Sequence, residues 1–262
     1  MTGSAELDRA DDLGVTGDYF LGDKLRVLQP AKGYRAGIDA VLLAATARAG
    51  SPVGPILDVG AGAGTVGLCV ATRLGDARVV LVEREPVLAA LARQNIAANS
   101  MTDRVSVIEA DITQTLTPDH ARDLPANYFA HVLANPPFHD EGRGTRADHD
   151  LKACAHAMPE TGLDAWVRFM ARMASPGGRA TMIHKAEALP RILDAFDGRF
   201  GAVKVCPIYA RHGEPAIRVL VEGVKGSRAP MTVQPGIVLH GTAHAFTDAI
   251  DAILRHGAAL AM

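Results

Sequence analysis

The sequence predicts an α/β fold: a doubly wound, mostly parallel sheet of seven strands that ends in a β-hairpin. Two observations carry this expectation. Short apolar runs of strand length alternate with segments whose apolar residues recur at helical spacing. The residues of chemical interest then fall, one after another, at the carboxyl ends of those runs, where an open α/β sheet binds its ligand. At 262 residues the chain can bury a full core, and neither a repeat nor a low-complexity linker divides it. Residues 19–262 are expected to form one domain. Residues 1–18 carry Glu6, Asp8, Asp11, Asp12 and Asp18 against Arg9 and are expected to be a disordered acidic tail.

Composition narrows the class. Hydrophobic residues make up 48% and charged residues 21%, as in an ordinary soluble protein. A formal net charge of −2 gives no global nucleic-acid signal. Cys69, Cys154 and Cys206 are far apart and show no metal-ligand spacing, which fits buried thiols in a reducing compartment. No apolar run approaches the ~18 residues of a membrane span, and no signal peptide opens the chain. The expected location is the cytoplasm.

The elements follow in order. Arg35 and Asp39 stand in Gly33-Tyr34-Arg35-Ala36-Gly37-Ile38-Asp39, just before an alanine-rich helix, where an acid serves the free N–H groups of the first turn. Residues 56–59 form a short apolar strand holding Asp58, which runs into Gly60-Ala61-Gly62-Ala63-Gly64 and a helix over 65–74. Glycines at alternate positions let the backbone turn sharply and approach a ligand closely. A second strand, 78–82, ends at Glu83, which lies 23 residues after Gly60, a spacing at which an acid accepts from both hydroxyls of a ribose. A helix over 85–99 has Val87, Leu88, Leu91 and Ile96 at helical spacing, which predicts a core-facing stripe. A third strand, 104–109, leads to Asp111, placed to accept from a base's exocyclic amine or to serve as a plain turn residue.

The fourth strand, 128–133, ends in Ala134-Asn135-Pro136-Pro137-Phe138. Two prolines in a row break the ladder and leave an acceptor-only surface: the side-chain oxygen of Asn135, the carbonyl of Pro136 and the ring of Phe138. Such a surface suits a flat molecule carrying an amino group. Residues 140–160 begin as a charged loop with two glycines, expected to roof the site. A helix over 163–174 clusters Trp166, Phe169, Met170 and Met173 on one side, which reads as core. A turn at 176–178 precedes a strand over 180–184 that closes with His184 and Lys185, and a helix over 189–196 follows. Strands at 203–209 and 216–222 form the hairpin, and 246–260 reads as a closing amphipathic helix. Basic residues Arg199, Lys204, Arg211, Arg218, Lys225 and Arg228 make 199–228 a candidate phosphate-facing segment.

The loop from Asp58 to Gly64, taken with Glu83, resembles the S-adenosylmethionine site of class I methyltransferases. Asn135 to Phe138 resembles the amino-group methylation motif of that superfamily. The segments 33–43 and 225–230 are similar to those of bacterial adenine-N6 methyltransferases acting on valine tRNA. The resemblance implies that Asp58, Gly60, Gly62 and Gly64 hold the methionine part of the cofactor, Glu83 its ribose and Asp111 its adenine. It puts Arg35 and Asp39 near the methionine end, makes Asn135, Pro136 and Phe138 the catalytic surface, and makes tRNA the partner. Release-factor glutamine methyltransferases and ribosomal guanine-N2 methyltransferases share a related turn but differ in their flanking domains. A small-molecule O-methyltransferase and a non-catalytic binding module are the remaining alternatives.

Overall fold

Why the strands read as nearly continuous apolar runs is explained by the computed structural model, which describes residues 14–33, 35–48, 54–138, 162–241 and 245–262. A parallel sheet is covered by helices on both faces, so neither face of a central strand meets water. Four parallel strands form the centre: β3 (Ile56–Val59), β4 (Val79–Glu83), β5 (Val105–Glu109) and β6 (Phe129–Ala134). β7 (Ala174–Lys185) continues them in parallel beside β6. β8 (Phe200–Tyr209) and β9 (Ala216–Lys225) form the expected hairpin, and β9 inserts antiparallel between β8 and β7. The seven strands run β8-β9-β7-β6-β3-β4-β5, and the short β10 (Thr232–Val233) and β11 (Ile237–Val238) extend the edge of β8.

Strand alternation divides the core in two. On one face, Leu81 and Leu133 pack with α1 (Ile38–Thr46), α2 (Thr65–Arg73), α3 (Pro86–Ala98) and α7 (Asp248–His256). On the other, Leu57, Val59, Val82 and Val132 pack with α5 (Gly162–Met173) and α6 (Leu189–Phe196). α4 (Pro118–Asp123) is a short surface helix capped by the Thr117 hydroxyl, which accepts from the His120 N–H. Among the described residues no helix is long and apolar enough to cross a membrane.

An antiparallel hairpin not expected from the sequence precedes the sheet, made of β1 (Val15–Phe20) and β2 (Leu25–Pro30). Its first strand begins four residues before Tyr19, inside the expected tail. Asp18 is bonded there to Arg35 and Gln29, while residues 1–13 lie outside the described residues. Asn95, fully buried in α3, ties this hairpin to the glycine loop. Its side chain accepts from Leu28 N–H at 2.8 Å and donates to the carbonyls of Leu28 and Ala63, both at 2.9 Å. One side chain thus satisfies three backbone groups from two elements that have no strand pairing with each other.

Candidate active site

The order of the strands places the site. β3 has β4 on one side and β6 on the other, so the chain changes direction between β3 and β6 and leaves a crevice above their carboxyl ends. The register pairs Val59 with Ala134, which brings the residues that follow them, Gly60 and Asn135, to the same level. It also pairs Glu83 with Glu109, so Asp111 follows two residues beyond the level of Glu83. A cavity of about 200 Å³ opens there, lined by Gly60, Gly62, Glu83, Asp111 and Asn135 among others. Five residues spread over 75 positions of sequence, from 60 to 135, share one wall.

The loop is held from beneath. Gly60 and Gly62 have φ of +65° and +57°, a region that side chains with a Cβ rarely adopt. A Cβ on Gly60 would lie 2.2 Å from the Trp166 ring, whereas one on Gly62 would meet no protein atom within 4 Å and would stand in the cavity. Gly62 N–H donates to Glu83 Oε2 at 2.7 Å, and Glu83 Oε1 accepts from the N–H groups of Arg84 and Glu85, both at 2.9 Å. Burial pushes the Glu83 pKa up, while these three amides pull it back towards the ionised form. A carboxylate fixed in this way keeps a lone pair on Oε2 for a hydroxyl at the cavity wall. Asp111 Oδ1 accepts from Thr113 N–H at 2.8 Å and from its hydroxyl at 2.7 Å. It therefore makes the turn and lines the cavity as well.

Other expected residues stand elsewhere. Asp58 is buried below the loop, where its Oδ2 accepts from Gly67 N–H at 2.9 Å. Burial and then the neighbouring Glu83 charge push its pKa up to about 7, against the hydrogen bond from Gly67. Gly64 is the N-cap of α2 at φ +89° and faces Leu81 rather than the cavity. Arg35 pairs with Asp18 at 2.5 Å, bonds Thr16 and donates to the Pro30 carbonyl, so it braces the hairpin. Asp39 makes no cap to α1 and instead accepts from Arg218 Nε at 2.8 Å. Neither Arg35 nor Asp39 is among the residues that line the cavity. The segment that carries them does supply a wall, through Gln29, Lys32, Gly33 and Ala36. Gln29 fixes that wall by accepting from Ala36 N–H at 2.8 Å and donating to the Ala36 carbonyl at 3.2 Å.

At the Asn135–Phe138 turn, Asn135 and Pro137 line the cavity, Pro136 is buried, and Phe138 lies beyond the lining. The Phe138 ring meets His184 edge-on, with centroids 5.0 Å apart, and the Arg218 guanidinium stands 4.8 Å from its centre. Burial pushes the His184 pKa down to about 4, so the imidazole is neutral near pH 7 and packs as an aromatic wall. Burial likewise pushes the Cys69 and Cys206 thiols up, to about 12 and about 11, which makes both poor nucleophiles.

Val87, Leu88 and Trp166 also line the cavity, and Trp166 packs against the core as the sequence reading expects. Val87 and Leu88 begin α3 above the end of β4, so the first turn of their apolar stripe faces the cavity while Leu91 and Ile96 are buried. Trp166, on the helix that carries Phe169, Met170 and Met173, also lies against Gly60. A large aromatic next to a glycine loop is a signal that needs the third dimension, because the two lie 106 positions apart. The basic segment also changes meaning. Arg199 pairs with Asp164, Lys204 bonds the Met262 carbonyl, Arg211 pairs with Glu214, Arg218 with Asp39, and Lys225 bonds Asn127 and two carbonyls. Arg228 is exposed.

Comparisons with known proteins agree with this geometry. A family model described as the methyltransferase small domain matches residues 38–164. A tRNA1(Val) (adenine(37)-N6)-methyltransferase of Shewanella amazonensis is 37% identical over 110 residues, 42% of this chain and 44% of its own length. Its namesake in Porphyromonas gingivalis is 30% identical over 176 residues, 66% and 67% of the two lengths. The matches thus span about half to two thirds of the curated relatives. A solved structure described as a predicted O-methyltransferase from Agrobacterium tumefaciens is 33% identical, with a TM-score of 0.70 over 86% of this chain and 99% of that one.

The fold and the cavity are those of the S-adenosylmethionine-dependent methyltransferases. The chain belongs to this methyltransferase family, and the small-domain model matches residues 38–164 of it. The residues present fit the cofactor: an open glycine loop, a backbone-held carboxylate for a ribose and an acid one strand further on.

Proposed function

We propose that the protein transfers a methyl group from S-adenosylmethionine to N6 of an adenine in tRNA. The observation that carries the reading is the Asn135–Phe138 turn opening on the same cavity as Gly62, Glu83 and Asp111. In this reading Gly60 and Gly62 take the methionine part, Glu83 the ribose and Asp111 the adenine of the cofactor. Asp58 acts on that loop from below, through its bond to Gly67. The printed names of the curated relatives support adenine as the acceptor.

The cofactor supplies an electrophilic methyl group on a sulfonium. The chain must supply an acceptor lone pair, and an aromatic amine is a poor nucleophile because its lone pair is delocalised into the ring. Asn135, through its side-chain oxygen, and Pro136, through its carbonyl, accept the two N–H hydrogens and so hold the amine with its lone pair towards the methyl. Asn135 does not titrate, so the amine need not lose a proton first; the proton leaves to solvent after transfer. Positioning of this kind supplies up to ~7–11 kcal/mol of such a barrier. Phe138 offers a ring for the base to stack on, worth ~1–3 kcal/mol. RNA would reach the site at the cavity mouth, with Arg218 beside Phe138 and Arg228 exposed within the 199–228 segment.

The test is methyl transfer from labelled cofactor to separated tRNA, rRNA and protein fractions, followed by nucleoside analysis. N6-methyladenosine in tRNA is the expected product. Label in a guanosine, in a glutamine or on an oxygen would replace the reading, the last in line with the description of the Agrobacterium relative. No label in any fraction would return the chain to a binding role.

A further inference from the structure

Beside the cavity, two side chains from distant elements meet at Phe138, and a third holds one of them. His184 comes from the end of β7, and Arg218 from the start of β9, where the register sets it opposite Lys185. Arg218 stands over the Phe138 ring at 4.8 Å while its Nε donates to Asp39 Oδ2 at 2.8 Å. Asp39 lies in the first turn of α1, shortly after Lys32, Gly33 and Ala36, which line the cavity. One guanidinium therefore joins Asp39 to Phe138, with its Nε on a carboxylate and its centre over an aromatic ring.

We propose that Asp39 and Arg218 are positioning residues that set the angle of the Phe138 ring. Phe138 follows two prolines on a segment without regular structure, so strand pairing fixes none of its rotamers. Arg218 is a backing plate: it covers part of the ring and leaves the remaining aromatic surface for an incoming base. Asp39 fixes the plate, because a lone arginine at a strand end samples many rotamers. Arginine is specific to this task, since its planar group can stack on a ring while its Nε–H donates to a carboxylate, which an ammonium cannot do. The pair is partly exposed, at 28% and 21% for the two side chains, and pairs of that kind add little to stability. Its place against Phe138 is thus what its presence explains. The inference rests on the reading that a flat aromatic amine is the acceptor.

The experiment reads the ring itself and then the reaction. With 4-fluorophenylalanine placed at position 138, Asp39→Asn and Arg218→Ala should each shift and narrow the fluorine resonance, and the double variant should resemble either single one. An unchanged resonance in either single variant would overturn the proposal. In methyl transfer, both variants should lose roughly 10- to 100-fold in kcat, with cofactor Kd and Tm close to wild type. Arg218→Lys should be equally impaired. Full activity in the lysine variant would mean that a charge, as for a phosphate contact, is all that is needed, and would sink the proposal. If wild-type enzyme labels no acceptor, the functional reading fails, while the resonance still decides whether the pair holds the ring.

Discussion

Replacing Gly60 and Gly62 separately by alanine tests the account of the cavity, because the two positions share one cost and differ in another. Both lie at positive φ, +65° and +57°, where a Cβ costs roughly 1–2 kcal/mol. Only Gly60→Ala adds a collision, since its Cβ would lie 2.2 Å and 2.9 Å from two atoms of the Trp166 ring. Overpacking of that kind costs ~1–3 kcal/mol, so Gly60→Ala should lose about 2–5 kcal/mol against about 1–2 for Gly62→Ala. For a chain of this size the larger loss lowers Tm by on the order of 10 °C. Trp166 is the one tryptophan of the sequence, so its emission reports the displaced ring without interference. Cofactor affinity should fall in both variants, and in Gly62→Ala with little change of emission, because that Cβ enters the cavity. Trp166→Leu introduced into Gly60→Ala should restore much of the lost stability. Equal Tm values for the two alanine variants, with unchanged emission in Gly60→Ala, would refute the placement of Trp166 against the loop.

Further outcomes follow from the same geometry. Asn135→Ala should abolish methyl transfer while calorimetry shows cofactor binding retained; undiminished turnover would remove the residue from the mechanism. Glu83→Gln should weaken cofactor binding by roughly 10- to 100-fold, the range of hydrogen bonds to a charged group, and an unchanged Kd would end its ribose role. Asp58 has a folded pKa of about 7 against an ordinary 3.8. The folded state therefore binds its proton more tightly than the unfolded one, and the stability this gives is full below about 3.8 and lost as pH rises towards 7. Asp58→Asn, which cannot ionise, should gain a few kcal/mol on wild type between pH 4 and 8 in urea unfolding; parallel curves would contradict the buried acid. Asn95→Ala leaves three backbone groups without their partner and should cost about 2–4 kcal/mol. A midpoint equal to wild type would show that the clip between hairpin and loop is dispensable.

The glycine loop, Glu83, Asp111 and the Asn135 turn were legible because each is a local device whose meaning depends on the strand it ends. Alternate glycines, an acid at a fixed distance and paired prolines state their chemistry over a few residues. Asp58 and Gly64 belong to the same motif yet support it from below, through Gly67 N–H and Leu81. A motif names its members without saying which of them face the ligand. The early hairpin was missed because its first strand is largely exposed and polar, and so lacks an apolar pattern.

By itself, the sequence determined the sheet, its seven main strands and the carboxyl-end edge on which the chemistry collects, since alternation, helical spacing and punctuation by glycine and proline are local properties. The tertiary structure alone decided which side chains meet. Helical spacing cannot tell a core from a cavity, because both present the same apolar stripe, and so only the fold shows that Trp166, Val87 and Leu88 line the cavity. Charge counting cannot tell a free cation from a paired one, because the partner of Arg218 stands 179 positions away. Arg35 and Asp39 found Asp18 and Arg218 for the same reason: where a side chain points is fixed by the long-range partner that folding brings within reach.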